Sequence, residues 1–162
     1  MTLFTHAVAV PADELHLVLI EIPDLDGGAP LRYAEGLTAE TVTLEDASVA
    51  TFPASGFEAE AEAVDDSATA QRSFTVPDIG GLLWSRIRAN IGRRTPLRVI
   101  VRQYLSTDLS EPVSVTPLEM QRPSRDDESD AISFTAVSVD PINRDAGMSK
   151  FTYTNSPGLR GR

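Results

Sequence analysis

Residues 74–105, FTVPDIGGLLWSRIRANIGRRTPLRVIVRQYL, read as a strand, one helix and a long strand. Asp78 follows Pro77 and is a residue type that caps helix N-termini, because its carboxylate accepts hydrogen bonds from the orphan amides of the first turn. Ile79, Leu82, Leu83, Ile87 and Ile91 recur at the spacing of one helix face. Gly92 stands where a left-handed C-terminal cap is expected, and Arg93 and Arg94 suit the negative end of the helix dipole. The pattern predicts a helix over about 78–92, with Gly80 and Gly81 each weakening its first turn by about 1 kcal/mol. Beyond it, Leu97, Val99 and Val101 alternate with Arg98, Ile100 and Arg102, the period of a strand.

On the N-terminal side, residues 15–22, LHLVLIEI, are almost wholly apolar and predict a central strand buried on both faces. Residues 23–30 hold Pro23, Asp24, Asp26, Gly27, Gly28 and Pro30, a turn. Short strands are expected at 31–35, 41–44 and 49–52. In residues 57–63, Phe57, Ala59, Ala61 and Ala63 point one way and Glu58, Glu60 and Glu62 the other. The period of two predicts a strand with an acidic face. A helix is the competing reading, since Glu and Ala favour it, but it would scatter the three glutamates around the cylinder.

After a polar turn, residues 71–76 predict a strand. Residues 113–122 read as a strand that Pro117 marks as an edge or a bulge. Residues 123–130, PSRDDESD, read as an exposed acidic loop, 131–139 as a strand, 150–154 as a short last strand and 155–162 as an extended basic tail. Residues 1–12 are weakly patterned. The expected fold is mainly β (α+β), one domain over 1–162, sandwich- or barrel-like, with roughly eight to ten strands and one bracing helix.

Composition narrows the chemistry. The chain lacks cysteine, which removes disulfides, thiolate metal sites and Cys nucleophiles. No apolar run approaches ~18 residues, so no membrane-spanning helix is expected. No Lys or Arg precedes Arg32 and no small-residue cleavage site follows an apolar segment, which predicts no secretory signal. The net charge of −10 disfavours a free polyanion as partner. The charge is uneven, however. Arg86, Arg88, Arg93, Arg94, Arg98 and Arg102 form a basic block with no acid between Asp78 and Asp108. Such a block predicts contact with an acidic face of a neighbouring subunit, or else local ion pairs on a solvated face. A nucleic-acid patch fits less well, because no aromatic residues interleave with the arginines.

No residue set points to catalysis. His6 and His16 have no partner at metal-ligand spacing. Alternate glutamates on one strand lie ~6.5–7 Å apart, a distance that suits a glycosidase pair. They lack an aromatic platform, though, and Trp84 sits in the helix. Asp24/Asp26 and Asp126/Asp127/Glu128 do not match the EF-hand loop. Phosphate-cradling, nucleophile-elbow and dinucleotide motifs are absent from the sequence. An anion on the amides at Gly80-Gly81 is the one remaining small-ligand option. The expectation is a protein that is not an enzyme and has no cofactor and no metal.

The ordered pieces resemble a family of small phage tail proteins, found in the tail-tip modules of long-tailed phages and carrying a domain of formerly unknown function. The resemblance spans residues 15–159. It begins with Leu19-Ile20-Glu21-Ile22 and Pro23, and continues through Phe52-Pro53, Phe57, and Val76-Pro77-Asp78-Ile79-Gly80 opening a helix. It then takes in residues 96–105 with the Asp108/Pro112 turn, Phe134-Thr135-Ala136, Tyr153-Thr154 and the closing Pro157-Gly158-Leu159. The chain departs from the family's common His-Pro after the first strand, and ends in Arg160-Gly161-Arg162 where an aromatic is common.

The resemblance implies a baseplate hub, a structural virion component with tube-type architecture that joins the tail tube to the receptor-binding tip. It implies a homo-oligomeric ring, trimer or hexamer, assembled in the host cytoplasm, with distal tail or tube and central tip proteins as partners. It also implies transient passage of DNA through a lumen, and no membrane. On that reading Glu58, Glu60 and Glu62 line the channel, and the arginine block meets a neighbouring subunit. Asp126, Asp127, Glu128, Pro157, Gly158, Leu159, Arg160 and Arg162 reach adjacent rings. The alternatives are a distal tail or tail-tube subunit and, from another class, a carbohydrate-binding β-sandwich module. The latter needs exposed aromatics from a chain that is 6% aromatic.

Overall fold

A computed structural model describes residues 15–60, 63–64, 70–78, 80–93, 95–126 and 128–138. The strands are β1 (His16–Ile22), β2 (Leu31–Ala34), β3 (Glu40–Thr43), β4 (Val49–Phe52), β5 (Glu58–Ala59), β6 (Ala63–Val64), β7 (Ala70–Pro77), β8 (Arg98–Leu105), β9 (Ser114–Asp126) and β10 (Ala131–Ser138). One helix, α1 (Leu82–Asn90), separates β7 from β8. Among the described residues the fold is mainly β with one helix, as expected.

Eight strands form one antiparallel sheet in the order β2-β1-β8-β9-β10-β7-β5, with β6 also on β7, and the sheet curls as a half-barrel. β3 and β4 make a separate hairpin. β1 sits between β2 and β8, and its uniform apolarity has a direct cause. Ile20 and Ile22 enter the main core on the helix face, while Leu19 enters a second core on the opposite face.

The main core is built where period-two residues of β7, β8, β9 and β10 meet Leu83 and Ile87 of α1. The Phe74 ring stacks on Phe134 at 5.3 Å and meets Phe57 at 6.3 Å. Aromatic pairs of this kind add to the stabilisation from burial alone. The second core lies under the β3–β4 hairpin, where Val42, Ala50 and Phe52 cover Leu19, Ala34 and Tyr104. The Tyr104 hydroxyl donates to Thr43 O at 2.7 Å, so the buried ring's polar end is satisfied.

Several expectations need correction. The helix is shorter than 78–92, because Gly80 and Gly81 adopt positive φ (100° and 71°) and delay its start to Leu82. Leu82 and Ile91, expected on the buried stripe, are exposed. Pro117 is not on an edge: β9 lies between β8 and β10. Met120 N–H donates to Leu97 O, so by the alternation of an antiparallel ladder the nitrogen of Pro117 points away from β8. It also lies one residue beyond the last described pairing with β10, Ser138 opposite Leu118. Residues 123–126 belong to β9, and the register shifts beside Arg122, whose φ is +49°. A bulge at this point accommodates Pro123, which has no amide to give the ladder. The strand expected at 57–63 appears as two short pieces, β5 and β6, both paired with β7. The strand at 150–154, the tail at 155–162 and residues 1–12 lie outside the described residues.

Three turns share one device. The Asp46 carboxylate accepts from Ser48 N–H and Oγ, Asp108 likewise from Ser110, and Asp126 from Glu128 N–H and Ser129 Oγ. These hydrogen bonds hold all three carboxyls below the ordinary aspartate range. A depressed folded pKa contributes stability that is present above the unfolded value and lost as pH falls through the folded one. Stability therefore declines below about pH 4. In the triple variant Asp46→Asn, Asp108→Asn, Asp126→Asn, that acid-limb slope should flatten in a urea-denaturation series against pH. An unchanged slope would show that these turns do not contribute to it.

Candidate assembly surfaces

The helix N-terminus is occupied by the chain's own carboxylate. Asp78, 4% exposed, accepts Leu83 N–H and Trp84 N–H, both at 2.9 Å. Asp78 is thus the capping residue that its sequence suggested, reaching across the two glycines rather than from the adjacent position. The same geometry fills the anion option at Gly80-Gly81 with a side chain.

The arginine block divides. Arg86 donates to the carbonyls of Ile22 and Ala29 at 2.9 and 2.8 Å and lies 3.6 Å from Asp24. Arg93 makes a two-pronged pair with Asp26, both contacts at 2.9 Å, which holds that carboxyl below its usual range. Arg102 is buried in β8, 5% exposed. Its Nε donates to both oxygens of Glu45, and it reaches Glu21 at 3.3 Å. Glu21, 7% exposed, also accepts from Arg32 Nε at 2.6 Å. Arg86, Arg93 and Arg102 thus find partners in the same chain, the local ion pairs that the sequence offered as the alternative to contacts with a neighbour. The fold brings the acidic turn at 24–26 beside α1 and folds the β3–β4 hairpin over β8. Arg88 and Arg98 remain exposed, and Arg94 lies outside the described residues.

Glu21, Arg32, Glu45 and Arg102 line a cleft of about 390 Å³ between the hairpin and the sheet. Buried charges of both signs, each hydrogen-bonded, suit a structural latch. Among the described residues no group of acids and histidines can hold a metal ion. His16 is exposed at the start of β1.

Among the described residues, the sheet face opposite α1 is covered only in part. The hairpin covers the β1–β8 end, as the second core shows. On β5, β7 and β10 that face presents Glu58, Gln71, Ser73, Thr75, Ser133 and Thr135, with Pro77, Ala131 and Val137 as its apolar members and no Lys or Arg. Glu58 lies opposite Thr75, and Glu60 N–H donates to Ser73 O, so both exposed glutamates extend this polar face. Glu62 lies outside the described residues. Of the residues assigned to contacts between rings, Asp126 closes its own turn and Glu128 is exposed. Asp127, Pro157, Gly158, Leu159, Arg160 and Arg162 are not among the described residues. Every described aromatic side chain is buried or half-buried, and Trp84 packs against the main core.

A second cleft, of about 470 Å³, opens beside the outer edge of β2, where residues 53–55 pair with Ala34. Leu31, Tyr33, Pro77, Asp78 and Leu82 line it together with Pro53, Ala54 and Ser55. Burial pushes the Tyr33 hydroxyl up to about 12; the Asp78 charge adds to the shift and Arg86 opposes it. No sequence pattern foretells this cleft, because its walls come from segments far apart in the chain.

Residues 3–152 match the model of a family described as a domain of unknown function, DUF1833. The chain belongs to that family. No curated protein matches it. The DUF1833 match extends past β10 and so takes in more of the C-terminal segment than the described fold.

Proposed function

We propose that this DUF1833 chain is a structural subunit of a phage tail tip, a hub that forms part of a ring between the tail tube and the receptor-binding tip. The observation that carries this reading is the partly uncovered sheet. One face holds the core and α1, while much of the other presents hydroxyls, amides and carboxylates to solvent. A conduit for DNA needs such a lining. Glutamates repel phosphates, and neutral polar groups hold water without gripping a polyanion. The order of motifs across the chain supports the same reading. Hydrolase and sugar-binding readings gain no support from the described residues, which offer no exposed aromatic platform.

The ring closes through head-to-tail contacts between copies. Arg98, exposed and opposite Glu119 in the β8–β9 register, is one contact residue. Arg98→Glu should lower the ring fraction in sedimentation of the purified protein, and normal assembly by this variant would remove Arg98 from the contact. The reading itself is tested by mass spectrometry of purified phage particles. It expects this chain at a copy number that is a multiple of three, and absence from intact particles overturns it.

A further inference from the structure

We propose that residues 150–154 of a second copy of this chain pair with the outer edge of β2 at Arg32, the position that residues 53–55 leave open, and seat Phe151 and Tyr153 in the cleft between Tyr33 and Leu82. The inference rests on the ring-forming reading and names the joint between copies.

The edge is prepared for a strand. Glu35 N–H donates to Val18 O, so the backbone groups of Leu31 and Tyr33 turn toward β1 and those of Arg32 and Ala34 turn outward. Ala34 is satisfied: its N–H donates to Pro53 O, and its carbonyl accepts from Ser55 N–H and Oγ. The outward N–H and C=O of Arg32 have no hydrogen-bond partner among the described residues. The pairing along this edge thus stops one step short, beside the 470 Å³ cleft. Leu82 stands on the rim at 65% exposure. An open edge next to an apolar slot is the arrangement that takes an added strand: main-chain bonds give affinity, and alternate side chains fill the slot.

The occupant follows from the chain itself. All described aromatics are already buried or half-buried, which leaves Phe4, Phe151 and Tyr153 as aromatic anchors for another surface. Phe151 and Tyr153 are two apart, so in an extended strand both point into the slot while Thr152 and Thr154 point away. The family match runs to residue 152, so it takes in Phe151 and ends one residue before Tyr153. Charge fits as well. Among the described residues, Arg32 and Asp78 are the only charged ones lining the cleft, and Asp140, Arg144, Asp145 and Lys150 balance within 139–154. In a chain of net charge −10, a neutral segment on a neutral slot lets copies meet without repulsion. Residues 139–150, extended, span up to ~40 Å, enough to leave β10 and reach a neighbour.

The absence of cysteine makes the test direct. Full-length Leu82→Cys and full-length Tyr153→Cys, one carrying a mass tag, are mixed and oxidised, and the double variant is oxidised separately. The expected result is a mixed disulfide dimer well above either homodimer, and a ladder of linked copies from the double variant. A far-UV spectrum equal to the wild type's confirms that both variants fold. A double variant that closes within one chain, or mixed dimer no more abundant than with Val49→Cys in place of Leu82→Cys, overturns the proposal. If the chain is recovered in particles and no mixed disulfide forms, the strand docking fails and the tail reading stands. If linked oligomers form from a chain missing from particles, the docking stands and the tail reading fails.

Discussion

Replacing Glu21 by alanine should destabilise the fold by about 3–5 kcal/mol, the largest effect expected of any single polar change here. Glu21 is buried between two arginines, with Arg32 on one oxygen and Arg102 on the other. Removing it leaves two guanidinium groups close together under the hairpin, with only the half-exposed Glu45 to offset them. Arg32 retains its position over the Phe52 ring at 5.7 Å, a weak substitute for a carboxylate. Urea denaturation should show a lower midpoint at an unchanged slope. Glu45→Gln, at the solvent end of the same network, should change stability by no more than about 1 kcal/mol. A Glu21→Ala variant within about 1 kcal/mol of the wild type would mean that the network is solvated and does not latch the hairpin.

Asp78→Ala ranks second, at roughly 3 kcal/mol, because two amides at the start of α1 lose a charged acceptor and no other is at hand. The consequences reach beyond the helix. Asp78 forms part of the wall of the β2 cleft, and its charge helps hold the Tyr33 hydroxyl in its neutral form. Asp78→Asn keeps one acceptor oxygen and should lose about half as much stability. It should also let Tyr33 ionise at lower pH, seen as an earlier rise in tyrosinate absorbance. The sign for Tyr33 is that of a raised pKa. Its contribution to stability is complete below the unfolded tyrosine value near 10 and fades as pH rises toward 12. If Asp78→Asn leaves both the helix and the tyrosine titration unchanged, the carboxylate does not cap α1 or face Tyr33.

Much of the fold is legible in the sequence because period-two patterning is a local signal. β8 and β10 show it, and the unbroken apolar run of β1 announces a strand covered on both sides. The surfaces are less legible. Arg102 alternates with apolar residues as a solvent-facing side chain would, and only the β3–β4 hairpin, folded over from elsewhere in the sequence, buries it. Arg86 and Arg93 look like a free basic face until the turn at 24–26 is brought against the helix. Pro117 suggests an edge because a local reading cannot see which side of the strand its missing amide faces. Each of these features depends on which element lies beside which, a relation that sequence spacing does not encode.

The alternating glutamates behave as a local pattern can specify. Glu58 and Glu60 share the polar face opposite α1, as the alternation requires. What that face meets is a property of the assembly. On the proposed reading, the polar face and the open Arg32 position are surfaces that neighbouring copies complete.

The most direct test is a density map of the assembled tail resolved well enough to trace this chain. The expected map shows a closed ring in which the Glu58 face borders the central channel, α1 lies on the outside, and β2 receives a strand from the next copy. A chain whose Glu58 face points away from the axis, or one present as an isolated subunit with no copy of itself beside it, contradicts the hub reading.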